Sequence, residues 1–343
     1  MRAVVARGGA VGVEQVPDPQ PGEGQVLVEP LACGICGSDI HFVENQATMP
    51  DVIPAISLGH EFVGRVIDYG PGTSRHQPVG SAVTSVPYLD TADGPLLVGL
   101  SPGIGGGLAE QMILQEKRLI PVPEGMDPVL AALTEPLAVG GHAVAAANMA
   151  PGDVALVVGC GPVGMAVIAT LKASGHRPIV AADFSAGRRR LAEKIGADVI
   201  VDPAQTSPYN SWAELAGAPP LSSPLQETAQ HPNTVVFECV GAPGVLQAVF
   251  DAVPLYTRVV VVGVCNGQDT ITPMVATVKE LSIRFVFAYR PEEFSQALRW
   301  IGDGTINAQD FVTATRTLDD VGEAFNDLRK PDEHCKILLL PGS

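Results

Sequence analysis

Residues Val154 to Val158 read Val-Ala-Leu-Val-Val, an unbroken apolar run of strand length, and the next six are Gly159-Cys160-Gly161-Pro162-Val163-Gly164. A helical pattern follows over 162–174, then a second apolar strand over 178–182, and Asp183 ends that strand nineteen residues after Gly164. G-x-G-x-x-G alone is a weak signal in a glycine-rich chain. Between a buried strand and a helix, with an acidic residue at that distance, it is the fingerprint of a dinucleotide-binding turn. Gly159 permits the tight turn, Gly161 lets a pyrophosphate approach the backbone, and Gly164 lets helix and strand pack closely. Pro162 and Val163 open the helix, whose free amides and positive end favour an anion. Asp183 can accept the hydroxyls of an adenosine ribose and would repel a 2′-phosphate, so NAD is expected over NADP. Arg188, on the basic face of a helix over 186–195, either reaches the cofactor or belongs to a solvated face.

Further apolar runs at 199–201, 234–237 and 258–262 alternate with helical segments, which predicts a parallel sheet covered on both faces. The apolar run from Val154 to Leu171 has the length of a membrane span, but its glycines and Pro162 make it strand, turn and helix. From residue 3 to about 119 the chain consists instead of short β-rich runs separated by Gly and Pro, an irregular all-β region. A helix over 128–148 leads out of it. A Pro/Ser-rich stretch over 203–232, with a short helix near Trp212, reads as a surface excursion. After 288 the chain returns to the first region, with helices over 291–301 and 321–328 and a closing strand over 336–340. The expected organisation is residues 1–150 and 289–343 in one domain and 151–288 in the other.

Net charge is −16, which excludes nucleic-acid binding driven by bulk electrostatics and disfavours anionic membranes. With 46% hydrophobic and 17% charged residues, disorder is not expected. The six cysteines are too few and too irregular for a disulfide scaffold, and the N-terminus shows no export signal. A cytoplasmic protein is expected.

Cys36, in Gly34-Ile-Cys-Gly-Ser-Asp-Ile-His41, is followed by Gly59-His60-Glu61 and later by Thr134-Glu135-Pro136-Leu137. Thiolate, imidazole and carboxylate are the ligand types of an open catalytic zinc site. Together with Glu135-Pro-Leu-Ala-Val139, His142-Ala143, the glycine turn and the ending Ala324-Phe, Leu328 and His334-Cys-Lys336, these motifs make the chain resemble the zinc-dependent medium-chain alcohol/polyol dehydrogenases along its whole length. The resemblance implies an α/β architecture, with a GroES-like catalytic domain, a Rossmann cofactor domain and zinc in the cleft between them. It makes Cys36 and His60 zinc ligands, with Glu61 and Glu135 competing for the third place and the other acting through a zinc-bound water. Ser38 corresponds to the hydroxyl that touches the alcohol, His41 to the base that passes the proton to solvent, and Asp39 to the carboxylate orienting His60. Lys336 falls where the family places a cation near the pyrophosphate, and Val240, Gly263 and Val264 in segments flanking the nicotinamide.

Many members carry a second, structural zinc on four cysteines, but residues 80–107 contain no cysteine, so one zinc per subunit is expected. Cys33 and Cys36 form C-x-x-C, but no thioredoxin-like context surrounds them and a redox pair is not expected. The implied reaction is NAD-linked oxidation of a small alcohol, a secondary alcohol or polyol, in a homodimer or homotetramer. A metal-free quinone or enoyl reductase and a non-catalytic structural protein of the same fold are the alternatives.

Overall fold

The computed structural model describes residues 1–218, 233–330 and 332–342; residues 219–232 of the Pro/Ser-rich stretch lie outside the described residues. They divide into two compact units, Met1–Glu135 with Phe294–Gly304 and Phe311–Ser343, and Pro136–Glu293 with Thr305–Asp310.

The first unit is built on a seven-stranded sheet whose long central strand is Gln25–Gly34. Its inward residues alternate as a strand with one buried face demands, until Ala32, Cys33 and Gly34, which are all buried. Glu61–Tyr69 lies antiparallel on one side, with Gly34 opposite Glu61. The closing strand Lys336–Leu339 lies antiparallel on the other, with Leu338 opposite Gly34. Residues hundreds of positions apart thus meet across three strands. Val28, Phe62, Val66, Met112, Ile337 and Leu339 are among the buried side chains that hold this sheet, each contributing about 1.5–3 kcal/mol relative to exposure.

One helix, Gly37–Thr48, interrupts the region expected to be all β. Its start is fixed by Asp39, which accepts the Cys36 amide at 2.8 Å and places negative charge in the first turn. The helix buries Asp39, Val43 and Gln46 one turn apart and leaves Ser38, His41 and Glu44 on the exposed face. In the cysteine-free stretch stands a hairpin, Tyr88–Thr91 with Gly94–Leu97, whose Asp90 pairs with Lys117 and Arg118 at 2.5 Å each.

The second unit is a six-stranded, all-parallel sheet in the order Val199–Val201, Ile179–Ala182, Val154–Val158, Thr234–Glu238, Arg258–Val261, Ser282–Phe285. The winding reverses between Val154–Val158 and Thr234–Glu238, so a crevice opens at the carboxyl ends of those two strands. Trp212, from the helix Pro208–Leu215, is fully buried on this sheet and donates its indole N–H to the Val154 carbonyl at 2.9 Å. The sixth strand is legible only in the structure. All four of its residues are exposed, Phe285 by 67%, because it forms the sheet edge.

Among the described residues one helical run, Pro128–Ala147, is long and apolar enough to cross a membrane, and 56% of its most apolar window is buried within the protein. That burial is what a core helix requires. The apolar run beginning at Val154 is strand, turn and helix, as the sequence indicated.

Candidate metal centre and cofactor crevice

Ligand-type atoms of Cys36, His60 and Glu61 lie within 4.8 Å of one another, the group of that kind found among the described residues. Cys36 sits at the N-terminal end of the Gly37–Thr48 helix, while His60 and Glu61 enter from the start of the neighbouring strand. His60 is buried, its Nε2 3.3 Å from the Ser38 hydroxyl and its Nδ1 3.5 Å from Asp39 Oδ1. Both Nδ1 and that oxygen are buried without a hydrogen-bond partner. A metal on Nε2 would require the ring proton on Nδ1, directed at Asp39, which is how carboxylates orient ligand imidazoles. The donor set, one thiolate, one imidazole and one carboxylate with a polar anchor behind the ring, therefore fits zinc with a fourth position open. Burial works against a charged His60, but the Asp39 carboxylate and Cys36 sulfur outweigh it and raise the pKa of the imidazole well above its usual range, before a metal competes for Nε2.

Glu61 has a further partner that the sequence did not indicate. Lys336 reaches across Gly34 and donates to Glu61 Oε1 at 2.7 Å, Oε2 at 2.6 Å and the Ile35 carbonyl at 3.1 Å. Both side chains are 1% exposed. A Cβ on Gly34 would fall on the Glu61 carboxylate, which explains the glycine. Burial works to deprotonate Lys336, but Glu61, joined by Cys36, prevails and raises the ammonium above the ordinary lysine range. Its contacts are thus with a candidate ligand, while the resemblance placed it by the pyrophosphate. Glu135 stands half-buried in the first turn of the helix Thr134–Ala147 and is not part of the three-residue group.

His41 lies one turn beyond Ser38, half exposed, with Nδ1 3.3 Å from Glu44. His142, part of the same family pattern, instead pairs with Glu293 at 2.9 Å. Cys33 is buried, donates to the Gly34 carbonyl, and has its thiol pushed up by burial and by Asp39 and Glu61. Such a thiol is a poor nucleophile, as expected for a core residue.

In the second unit, Gly159 turns with φ +89 and donates to the Ala182 carbonyl at 2.9 Å. A Cβ there would meet Val240 at 2.6 Å, and one on Gly164 would fall on the Gly159 carbonyl. Gly161 caps the helix Pro162–Ala173 and is open, its nearest neighbour being the Arg188 guanidinium at 4.0 Å. Asp183 does more than its position suggested. Its Oδ2 accepts the Cys160 amide at 2.8 Å and its Oδ1 the Ser185 amide at 2.8 Å, so the carboxylate ties the glycine turn to the next strand. Arg188 lies 3.9 Å from the same carboxylate, whereas Arg189 donates to the Asp183 and Phe184 carbonyls. Phe184, beside Asp183, is 75% exposed, a large aromatic face that only the structure reveals. Val240 and Val264 are exposed at the ends of their strands, and Gly263 lies against Gly241.

Comparison with known proteins identifies the family. Residues 22–124 match the model described as alcohol dehydrogenase GroES-like domain, and 162–303 that of zinc-binding dehydrogenase. The chain is 31% identical to (R,R)-butanediol dehydrogenase of Bacillus subtilis (strain 168), with 96% of each chain covered. It is 28% identical to sorbitol dehydrogenase of Halalkalibacterium halodurans, over 97% of this chain and 96% of that protein. The crystal structure of 2R,3R-butanediol dehydrogenase from Bacillus subtilis superposes with a TM-score of 0.84 at 30% identity, covering 99% of both chains. With a parallel dinucleotide sheet, a three-ligand metal group and relatives matched end to end, the chain belongs to the zinc-dependent medium-chain alcohol dehydrogenase family.

Proposed function

We propose that this enzyme oxidises a secondary alcohol or polyol reversibly to the ketone with NAD, and that the observation carrying the site is the convergence of Cys36, His60 and Glu61 within 4.8 Å. Cys36 and His60 hold the zinc, Glu61 is the third ligand, and Glu135 is the carboxylate that can replace it. Bound there, zinc supplies a Lewis acid that makes a substrate hydroxyl acidic near neutral pH, and NAD supplies the two-electron acceptor.

The chain's own residues then handle the proton. Ser38, 3.3 Å from the ligand imidazole, is placed to relay it, its oxygen taking the substrate proton as its own hydroxyl proton passes on toward His41. His41, one turn on and half exposed, is the base that carries it to solvent. Asp39, 3.5 Å behind His60 Nδ1, keeps the ligand nitrogen aimed.

For the cofactor, Gly159, Gly161, Pro162, Val163 and Gly164 form the pyrophosphate turn. Asp183 receives the adenosine ribose, using lone pairs left after two amide bonds, and favours NAD. Phe184 supplies a stacking face for adenine, and Arg188 a cation beside the turn. Val240, Gly263 and Val264 flank the nicotinamide. Lys336 acts on the metal side through Glu61.

The exposed edge strand Ser282–Phe285, with Phe285 67% and Phe287 80% uncovered, supports a homodimer in which a second copy extends the sheet. A zinc-binding thiolate at Cys36 suits a reducing compartment, and the cytoplasm is the location this reading assigns. A metal-free reductase would have no use for three converging ligand side chains. The test is a metal assay on protein purified without added zinc, joined to a panel of secondary alcohols, diols, sugar alcohols and hydroxy amino acids, followed by absorbance of reduced cofactor. The reading requires about one zinc per chain and NAD-dependent turnover of a secondary hydroxyl. Full turnover by zinc-free protein would overturn it.

A further inference from the structure

Glu238 ends the strand Thr234–Glu238 on one side of the crevice, and it is 2% exposed. Neither the metal centre nor the glycine turn uses it. A buried carboxylate is costly unless its oxygens are met by donors. Here Oε1 accepts the Val240 amide at 2.7 Å and the Gly241 amide at 2.9 Å. The backbone carbonyl of the same residue accepts the amides of Val262 at 2.8 Å and Gly263 at 2.9 Å. One residue thereby binds two loops, the one following its own strand and the one following Arg258–Val261.

The two loops are in backbone contact. Gly241 turns with φ +66, and a Cβ on it would meet the Val264 backbone at 2.6 Å. A Cβ on Gly263 would meet Glu238 Oε2 at 2.9 Å. The first loop also abuts the pyrophosphate turn, since Cys239 donates to the Val158 carbonyl at 2.8 Å and Val240 fills the space left free by Gly159. What these loops hold out uncovered are the side chains of Val240, 47% exposed, and Val264, 59% exposed. An apolar pair fixed at strand ends, opposite a glycine turn, suits the flat face of a nicotinamide ring.

We infer that Glu238 is a positioning residue for the nicotinamide half of the cofactor crevice, holding the loops of Val240 and Val264 in the one arrangement that presents both side chains. This rests on the reading that the crevice binds NAD. The adenosine half is built from other residues, Asp183 and Phe184 on the far side of the glycine turn. The inference therefore makes a divided expectation: loss of the Glu238 carboxylate weakens ligands that carry a nicotinamide and spares those that do not.

The experiment measures binding of NADH and of AMP by calorimetry to wild type, Glu238→Ala and Glu238→Gln. Losing two amide bonds to a charged acceptor should raise the NADH dissociation constant of Glu238→Ala by about 10–100-fold. AMP binding should stay within about 3-fold, because its partners are untouched. Glu238→Gln keeps an acceptor oxygen and should recover NADH binding to within several-fold of wild type. Should Glu238→Ala not fold, Gly241→Ala distorts the same loop with the carboxylate in place and must show the same split between NADH and AMP. NADH binding by Glu238→Ala equal to wild type, or parallel losses of NADH and AMP, overturns the inference. Wild type that binds neither ligand overturns the cofactor reading itself.

Discussion

Replacing Lys336 with Met tests the most heavily buried interaction of the metal centre. The ammonium makes three hydrogen bonds, two to the Glu61 carboxylate at 2.6 and 2.7 Å and one to the Ile35 carbonyl at 3.1 Å, in a pair whose members are each 1% exposed. Methionine fills nearly the same volume but leaves the carboxylate buried without its cation. Breaking a buried pair from one side costs about 3–5 kcal/mol, far more than the net contribution of the pair itself, since the orphaned charge dominates. At about 2–4 °C per kcal/mol for a unit of this size, the melting temperature should fall by roughly 6–20 °C. The measurement is urea or thermal unfolding of chelator-treated protein, because bound zinc would hold Glu61 and mask part of the loss. A second variant, Lys336→Met with Glu61→Leu, removes both charges and should recover most of the stability, giving a coupling term in the double-mutant cycle.

The pH dependence follows from the raised pKa of Lys336. A lysine held above its unfolded value contributes its full stabilisation below the unfolded value, about 10.4, and loses it as pH rises through the folded one. The gap between wild type and Lys336→Met should thus stay level from neutral pH to about 10 and narrow only in stronger alkali. A cost below 1 kcal/mol at neutral pH, or a double variant no more stable than the single one, would refute the reasoning.

Three further outcomes are expected. Cys36→Ala should lower zinc content and reduce turnover by at least about 10³-fold, while NADH binding measured by fluorescence stays within about 3-fold; equal loss of both would refute the separation of metal and cofactor residues. Asp183→Ala removes the acceptor of the Cys160 amide as well as the ribose partner, so KM for NAD should rise about 10–100-fold with little gain for NADP, against the clean exchange of preference expected if Asp183 served the ribose alone. Gly34→Ala drives a Cβ onto the Glu61 carboxylate and should destabilise the protein by about 2–4 kcal/mol in chemical unfolding, although the strand tolerates alanine elsewhere, at Ala32.

The cofactor turn was legible in sequence because its determinants are local. A strand, three glycines and a helix occupy consecutive positions, and one of the close contacts, Gly164 on the Gly159 carbonyl, lies within the turn itself. Cys36, His60 and Glu61 were legible as ligand types, and the fold brings them together. The helix Gly37–Thr48 was missed although Asp39 three residues after Cys36 carries a capping pattern, because Gly37 and the short β-rich runs around it gave the opposite signal. The edge strand Ser282–Phe285 was missed because its residues face solvent and lack the continuous apolar pattern of the five strands beside it.

The sequence by itself therefore determined the dinucleotide sheet apart from its edge strand, the ligand chemistry of the metal centre and the family, all of which depend on residue type in ordered motifs. Only the tertiary structure decided how the acidic residues are used. Glu61 is shared with Lys336 across a glycine, Asp183 is tied to the turn it was expected merely to follow, and Glu238 binds two loops from a buried position. The physical reason is register. Glu61 and Lys336 are 275 residues apart and meet because the strands on either side of Gly34 are aligned to bring their ends together, an alignment set by the whole sheet and its buried core.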